Sequence, residues 1–246
     1  MRRILIIGAT SAIAVACARR WNQDGARFFL VARNGGRLEQ VAADLRARNA
    51  ADVQTFMLDV TSLERQGPML EAAVAALGQI DVALIAHGTL PDQAACERDA
   101  DLALQQFAIN GGSVIALLTR LANALEAQRS GCLAVITSVA GDRGRPSNYL
   151  YGSAKAAVST FCAGLRARLF KSGVHVIDIR PGFVDTPMTR GLPLPRLLVA
   201  QPDTVARRIV AGIDRRTDVL YVPRYWTLIM FVIRSIPGFA FKRIRL

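Results

Sequence analysis

Short apolar runs rich in β-branched residues recur along this chain, each followed by a longer stretch of helical periodicity, and that alternation restricts the fold more than any other feature. The runs are Arg3 to Ile7, Arg27 to Val31, Val53 to Leu58, Ile80 to Ala86, Leu133 to Ile136, Val174 to Ile179 and Val219 to Val222. Helical patterns follow them, among others from about Ala103 to Ala127, from Tyr149 to about Phe170 and from about Thr204 to Gly212. Strands that alternate with helices must pair in parallel through right-handed crossovers. The expected fold is therefore a single α/β domain, a doubly wound and mainly parallel sheet flanked by helices. A chain of 246 residues is ordinary for one such domain and can bury a substantial core.

Ser138 follows one of these runs, which places its hydroxyl at the carboxyl end of a buried strand, where open α/β sheets bind ligands. A loop containing Gly141, Gly144 and Pro146 leads into a helix that carries Tyr151 and Lys155 on one face, four residues apart. A hydroxyl, a phenol and an ammonium can then converge on one carbonyl oxygen. A free tyrosine has a pKa of about 10 and is a poor acid-base at neutral pH. An ammonium roughly 4 Å from the phenolate would lower it by roughly 3 units at an effective dielectric of about 20, which predicts a Tyr151 pKa close to 7.

At the amino end, the first run enters Gly8-Ala9-Thr10-Ser11-Ala12-Ile13-Ala14 and then a helix to about Asp24. A strand, a small-residue turn and a helix amino terminus make an anion site, because backbone N–H groups and the helix dipole face the phosphates. The second run ends at Ala32-Arg33. An acidic residue there would read a free ribose 2′-hydroxyl, whereas an arginine accommodates a 2′-phosphate, so Arg33 favours NADP over NAD.

With Ser138 thirteen residues before the tyrosine of Tyr151-x-x-x-Lys155, the chain resembles the short-chain dehydrogenase/reductase family over roughly residues 3 to 222. The resemblance implies a Rossmann-type fold, an NAD(P) cofactor and hydride transfer between nicotinamide and a carbonyl or carbinol carbon. Ser138 would orient the oxygen, Tyr151 would exchange the proton, Lys155 would hold the nicotinamide ribose, and Asn110 would complete the tetrad by supporting a relay water. The dinucleotide would rest on Gly8, Thr10, Ser11, Ala12 and Ile13, with Asp59 and Val60 beside the adenine and Gly88 close to the backbone. Pro181, Gly182, Val184 and Thr186 would hold the nicotinamide amide. The chain departs from the family in two ways. Alanine stands at positions 12 and 14, where the family usually has glycine, and Ala86-His87-Gly88 occupies the place of the family's Asn-Ala-Gly, with His87 a departure. Asp59 could equally cap the following helix, and His87 and His175 read as structural.

The stretch from Pro187 to Gln201, with its prolines and leucines, is expected to form a lid over an apolar substrate. From Arg224 onward the chain contains no acidic residue and carries Trp226, Leu228, Ile229, Phe231 and Val232 beside Arg224, Arg234, Lys242 and Arg245. Residues 223–246 thus read as a basic amphipathic extension. As a helix, Tyr225 to Ile236 spans only about 18 Å against a hydrocarbon core of about 30 Å, so it should not cross a bilayer. It could lie in the interface of an anionic membrane, and it could equally roof the active site or pack on a partner subunit. Together with Gly8 to Ser11 and Ala86 to Gln93, this tail resembles the branch of the family near decaprenylphosphoryl-ribose ketoreductases. That branch implies reduction of a polyprenyl-phosphate-linked 2-keto-pentose at the inner face of a membrane. Reduction of a soluble or acyl-carrier-linked ketone is the alternative, and a non-catalytic, cofactor-sensing module is the alternative of another class.

Composition narrows the partners. The formal charge is +12 with only three lysines, so the basic charge is arginine spread over many helices. No basic block interleaved with aromatics suggests base stacking, so nucleic acid is not expected. Cys17, Cys96, Cys132 and Cys162 show neither disulfide nor metal-ligand spacing, as suits a reducing cytoplasm. The amino terminus has no secretory-signal pattern. The family resemblance also implies a homo-oligomer.

Overall fold

The computed structural model describes residues 1–243, so Arg245, which the sequence places in the basic tail, lies outside the described residues. Seven strands form one sheet: β1 (Arg3–Ile7), β2 (Arg27–Ala32), β3 (Asp52–Met57), β4 (Val82–Ile85), β5 (Cys132–Ile136), β6 (His175–Pro181) and β7 (Val219–Val222). Their order is β3-β2-β1-β4-β5-β6-β7, and every pairing is parallel. The order reverses between β1 and β4. A crevice opens at the carboxyl ends of the strands on either side of such a reversal. β4 is buried along its whole length, as befits a central parallel strand covered on both faces.

Helices α1 (Ala12–Trp21), α2 (Gly35–Ala47) and α8 (Pro202–Asp214) cover one face, where Ala14, Cys17, Leu38, Ala42, Val205 and Ile209 meet Ile4, Ile6 and Phe28. The other face is covered by α3 (Leu63–Leu77), α6 (Ser113–Gln128) and α7 (Tyr149–Leu169), with Met69, Leu117, Leu121, Val158 and Cys162 packed on Leu5, Leu133 and Val135. All four cysteines are buried and free. Ser11 caps α1 by accepting from the Ala14 amide, and Asn34 caps α2 by accepting from the Arg37 amide.

The helix expected from about Ala103 to Ala127 is not continuous. It consists of α5 (Ala100–Phe107), a π-helical turn at Ala108–Gly112 that contains Asn110, and α6, after a short α4 (Gln93–Arg98). Residues Ala100–Gln128 together are long and apolar enough to cross a membrane by composition alone, but Val114, Leu117, Leu118, Leu121 and Leu125 are core residues of this domain. Asp59 does not cap α3. Its carboxylate accepts from the amide and hydroxyl of Thr61, and α3 starts after Ser62 with no side-chain cap.

The carboxyl-terminal segment is docked on the domain. Helix α9 (Tyr225–Ser235) buries Trp226 and Met230 against Val139, Phe183 and Leu198, and α10 (Gly238–Phe241) follows. Arg143 fastens this segment, donating to the carbonyls of Ile233 and Ile236 at 2.6 Å and lying over the Phe241 ring at 3.8 Å. A guanidinium on the last carbonyls of a helix satisfies acceptors that have no intrahelical donor.

Candidate active site

One cavity of about 1630 Å³ runs along the carboxyl ends of the strands, from the β1 turn to α9. That exceeds the usual size of a small-molecule site, about 300–1,000 Å³, and leaves room for a dinucleotide and a second ligand together. At one end lies the β1–α1 turn. Gly8 has φ +83°, and a Cβ there would stand 2.4 Å from the His87 amide nitrogen, so only glycine fits. Thr10, Ser11, Ala12 and Ile13 line the cavity, the last two being the first residues of α1, whose leading amides have no intrahelical acceptor. The backbone is thus shaped for a pyrophosphate despite Ala12. Arg33 and Asp59 with Val60 line the same end, and the Arg33 charge helps hold the Asp59 carboxyl below its usual range, after the stronger effect of the Thr61 hydrogen bonds. Arg37, in the first turn of α2 and four residues after Arg33, also faces the cavity. The sequence reading passed over it, although that spacing was its signal.

At the centre stand Ser138, Tyr151 and Lys155. Ser138 leaves β5 with extended backbone, and its Oγ accepts from the Ala140 amide at 3.1 Å. The Gly152 position on α7 has no room for a Cβ, which would meet the Ala140 carbonyl oxygen at 2.7 Å; this close contact draws Tyr151 up to Ser138. Desolvation pushes the Tyr151 phenol up to about 12, and a hydrogen bond with Ser138 opposes the rise. This corrects the expectation that Lys155 brings the phenol near 7. Lys155 Nζ lies 5.6 Å from the centroid of the Tyr151 ring and donates to the Ile136 carbonyl. Lys155 is itself 3% exposed, and burial lowers its pKa to about 8 against the opposing pull of Asp178.

Asn110 is buried behind this centre and is not among the residues that line the cavity. Its Oδ1 accepts from the Thr89 amide at 2.9 Å, and its Nδ2 donates to the Thr89 hydroxyl and the Gln106 carbonyl, both at 3.1 Å. The amide is thus spent on holding the Gly88–Thr89 turn, where a Cβ on Gly88 would stand 2.9 Å from Asn110 Oδ1. The π-turn gives Asn110 this reach, a common use of such bulges. His87 has Nε2 3.0 Å from the Ser113 hydroxyl, and burial, with the nearby Lys155 charge, lowers its pKa to about 3. It is neutral.

At the far end, Pro181, Gly182, Val184 and Thr186 line the cavity together with Leu192, Leu194 and Leu198 of the 187–201 segment and Trp226, Ile229 and Ile233 of α9. The Trp226 indole lies on Gly182, so closely that a Cβ there would be 1.9 Å from its Nε1. Beneath them, Arg180 joins Asp142 of the catalytic loop to Asp178 of β6, 2.8 Å from each, and Tyr221 donates to Asp142 at 2.7 Å. Neither this clamp nor the fastening role of Arg143 is visible in the sequence, where each is one arginine among many.

This fold and this cavity define a nucleotide-dependent oxidoreductase of the α/β type, and comparison with known proteins agrees. Residues 2–195 match the family model for short chain dehydrogenases. The chain belongs to the short-chain dehydrogenase family and is an NAD(P)-dependent oxidoreductase of it. An uncharacterised oxidoreductase of Mycobacterium tuberculosis is 39% identical over 242 residues, covering 98% of this chain and 96% of the relative. An uncharacterised oxidoreductase of Streptomyces coelicolor is 35% identical over 245 residues, covering 99% of this chain and 96% of the relative. The crystal structure of levodione reductase superposes with a TM-score of 0.82 over 90% of this chain and 95% of that one; at 23% identity the likeness shows the fold.

Proposed function

We propose that the protein is an NADPH-dependent ketoreductase that acts at a membrane surface on an amphiphilic ketone, of the class represented by a polyprenyl-phosphate-linked 2-keto-pentose. The observation that carries the reading is the continuity of one cavity from the Gly8 turn, past Tyr151, to an apolar end walled by the 187–201 segment and α9. A nicotinamide cofactor bound along that cavity supplies the hydride. Ser138 positions the carbonyl oxygen, and Tyr151, whose phenol is protonated at neutral pH, donates its proton to that oxygen. The Lys155 ammonium stabilises the phenolate left behind and keeps the ring in place through its hold on the Ile136 carbonyl. Leu192, Leu194 and Leu198 exclude water and fit an alkyl or prenyl chain.

Preference for NADPH rests on Arg33 and Arg37, which offer guanidinium donors at the ribose end and for which no ion pair exists among the described residues. Titration with NADPH and NADH, followed by nicotinamide fluorescence, tests it. Arg33→Ala should lose about tenfold or more in NADPH affinity while NADH affinity changes little. Equal losses for the two would remove the case for a 2′-phosphate site.

A further inference from the structure

Arg145 sits in the loop between Ser138 and Tyr151, lines the cavity and is only 8% exposed. Its Nε is buried without a hydrogen-bond partner, and no ion pair among the described residues includes it. The carboxylate whose charge it feels is Asp142, but the Asp142 oxygens are already engaged by Arg180 at 2.8 Å and Tyr221 at 2.7 Å. Burial disfavours its charged form, which is the sign of a cation not compensated from within the chain. Elsewhere the buried or half-buried arginines are answered. Arg180 has two carboxylates, Arg3 has Asp81, and Arg166 has the carbonyls of Val176 and Asp218. A buried guanidinium left without a counter-charge is costly, and its planar fork matches a phosphate or carboxylate through paired hydrogen bonds.

We infer that Arg145 binds an anionic group of the substrate, a phosphate or a carboxylate, beside the centre of the cavity where Ser138 and Tyr151 meet the carbonyl. The inference rests on the ketoreductase reading above and deepens it. The substrate combines a ketone, an adjacent anion and an apolar chain, and Arg145 selects the anion. The phosphates of the cofactor would be served by the Gly8–Ile13 turn after β1, two strand positions away from the loop after β5 that carries Arg145, so removing Arg145 should leave cofactor binding intact.

The test uses the full chain saturated with NADPH and three probes of equal chain length, octyl phosphate, octanoate and octanol, each below its micellar concentration. Affinity is read by titration calorimetry. Wild type should bind one or both anions about tenfold or more tighter than octanol. Arg145→Ala should lose that margin while octanol and NADPH bind as before. Arg145→Gln, which keeps most of the packing, should lose it too, and Arg145→Lys should restore part of it. A margin for octyl phosphate alone identifies a phosphate ester, and a margin for octanoate alone a carboxylic acid; either supports the assignment. Equal affinity of wild type for all three probes overturns it, as does a margin that survives in Arg145→Ala or Arg145→Gln. Failure of wild type to bind NADPH would instead sink the reductase reading, and the same probe series without NADPH would still decide whether Arg145 holds an anion.

Discussion

A phenol that desolvation pushes up to about 12 keeps its proton throughout the neutral range, so Tyr151 enters the reaction as a donor, which suits reduction. Tyr151→Phe should abolish turnover of any ketone the protein reduces, leaving NADPH affinity within about twofold by fluorescence, since a phenyl ring keeps the packing. Turnover that survives would remove the assigned acid. Lys155 sets the alkaline limit. Its ammonium persists below about 8 and is lost above, so kcat/KM for reduction should fall as pH rises through about 8. Lys155→Arg, whose charge does not titrate there, should flatten that limb at lower overall activity. The same shift bears on stability with a definite sign. An unfolded lysine holds its proton to about 10.4, so the unfolded chain binds more protons between about 8 and that value, and the contribution of this group rises with pH across that window. That Ser138, Tyr151 and Lys155 line one cavity was legible from their spacing and the strand-to-helix pattern around them. Their electrostatics were not, because a four-residue spacing fixes the face of a helix but not which atom of a neighbour an ammonium meets.

Strands and helices were legible wherever one period dominated. β-branched runs gave the strands, with ends that differ from the observed ones by a few residues where turns and ladders compete, as at Ile80–Asp81 before β4. The π-turn at Asn110 escaped detection because one extra residue per turn hardly disturbs an apolar pattern already rich in small residues. The docked side of α9 escaped for another reason. That helix is apolar nearly all round, and its choice of face depends on Gly182 and Arg143, distant in sequence. The loop after β5 is likewise held by contacts that no local pattern announces. Arg180, with 17% of its side chain exposed, is the counter-charge of two carboxylates that are almost wholly buried, Asp142 at 3% and Asp178 at 1%. Arg180→Met would strand both, and urea denaturation should show a loss of about 3–5 kcal/mol. An unchanged midpoint would mean that the clamp adds nothing to the cohesion of the loop after β5 with strand β6.

Across the whole molecule, apolar side chains are exposed unevenly. Half of the large ones exposed among the described residues belong to the 187–201 segment and the tail: Met188, Leu192, Leu197, Tyr225, Leu228, Phe231, Val232 and Phe239. Leu197 is 95% exposed, and Leu228 and Phe231 are 69% exposed. The same two stretches carry Arg190, Arg196, Arg224, Arg234, Lys242 and Arg243 and no carboxylate side chain, the pairing of apolar anchors with basic residues that anionic bilayers attract. The full chain should therefore float with vesicles containing phosphatidylglycerol and do so less at high salt, while Leu228→Ser/Phe231→Ser protein stays in the dense fraction. Full-length protein that never floats would place substrate capture in solution.

The Trp226 indole resting on Gly182 has a consequence for how such a chain can diversify. The residues to which the chemistry is assigned lie before residue 195, within the stretch that matches the family model, while Trp226, Ile229 and Ile233 stand beyond it yet line the same cavity. Part of the choice of reactant is thus written in a passage of the chain separate from the reaction, joined to it where an indole meets a residue without a side chain. Exchanging the closing passage between two relatives would change what is reduced and leave the means of reduction alone.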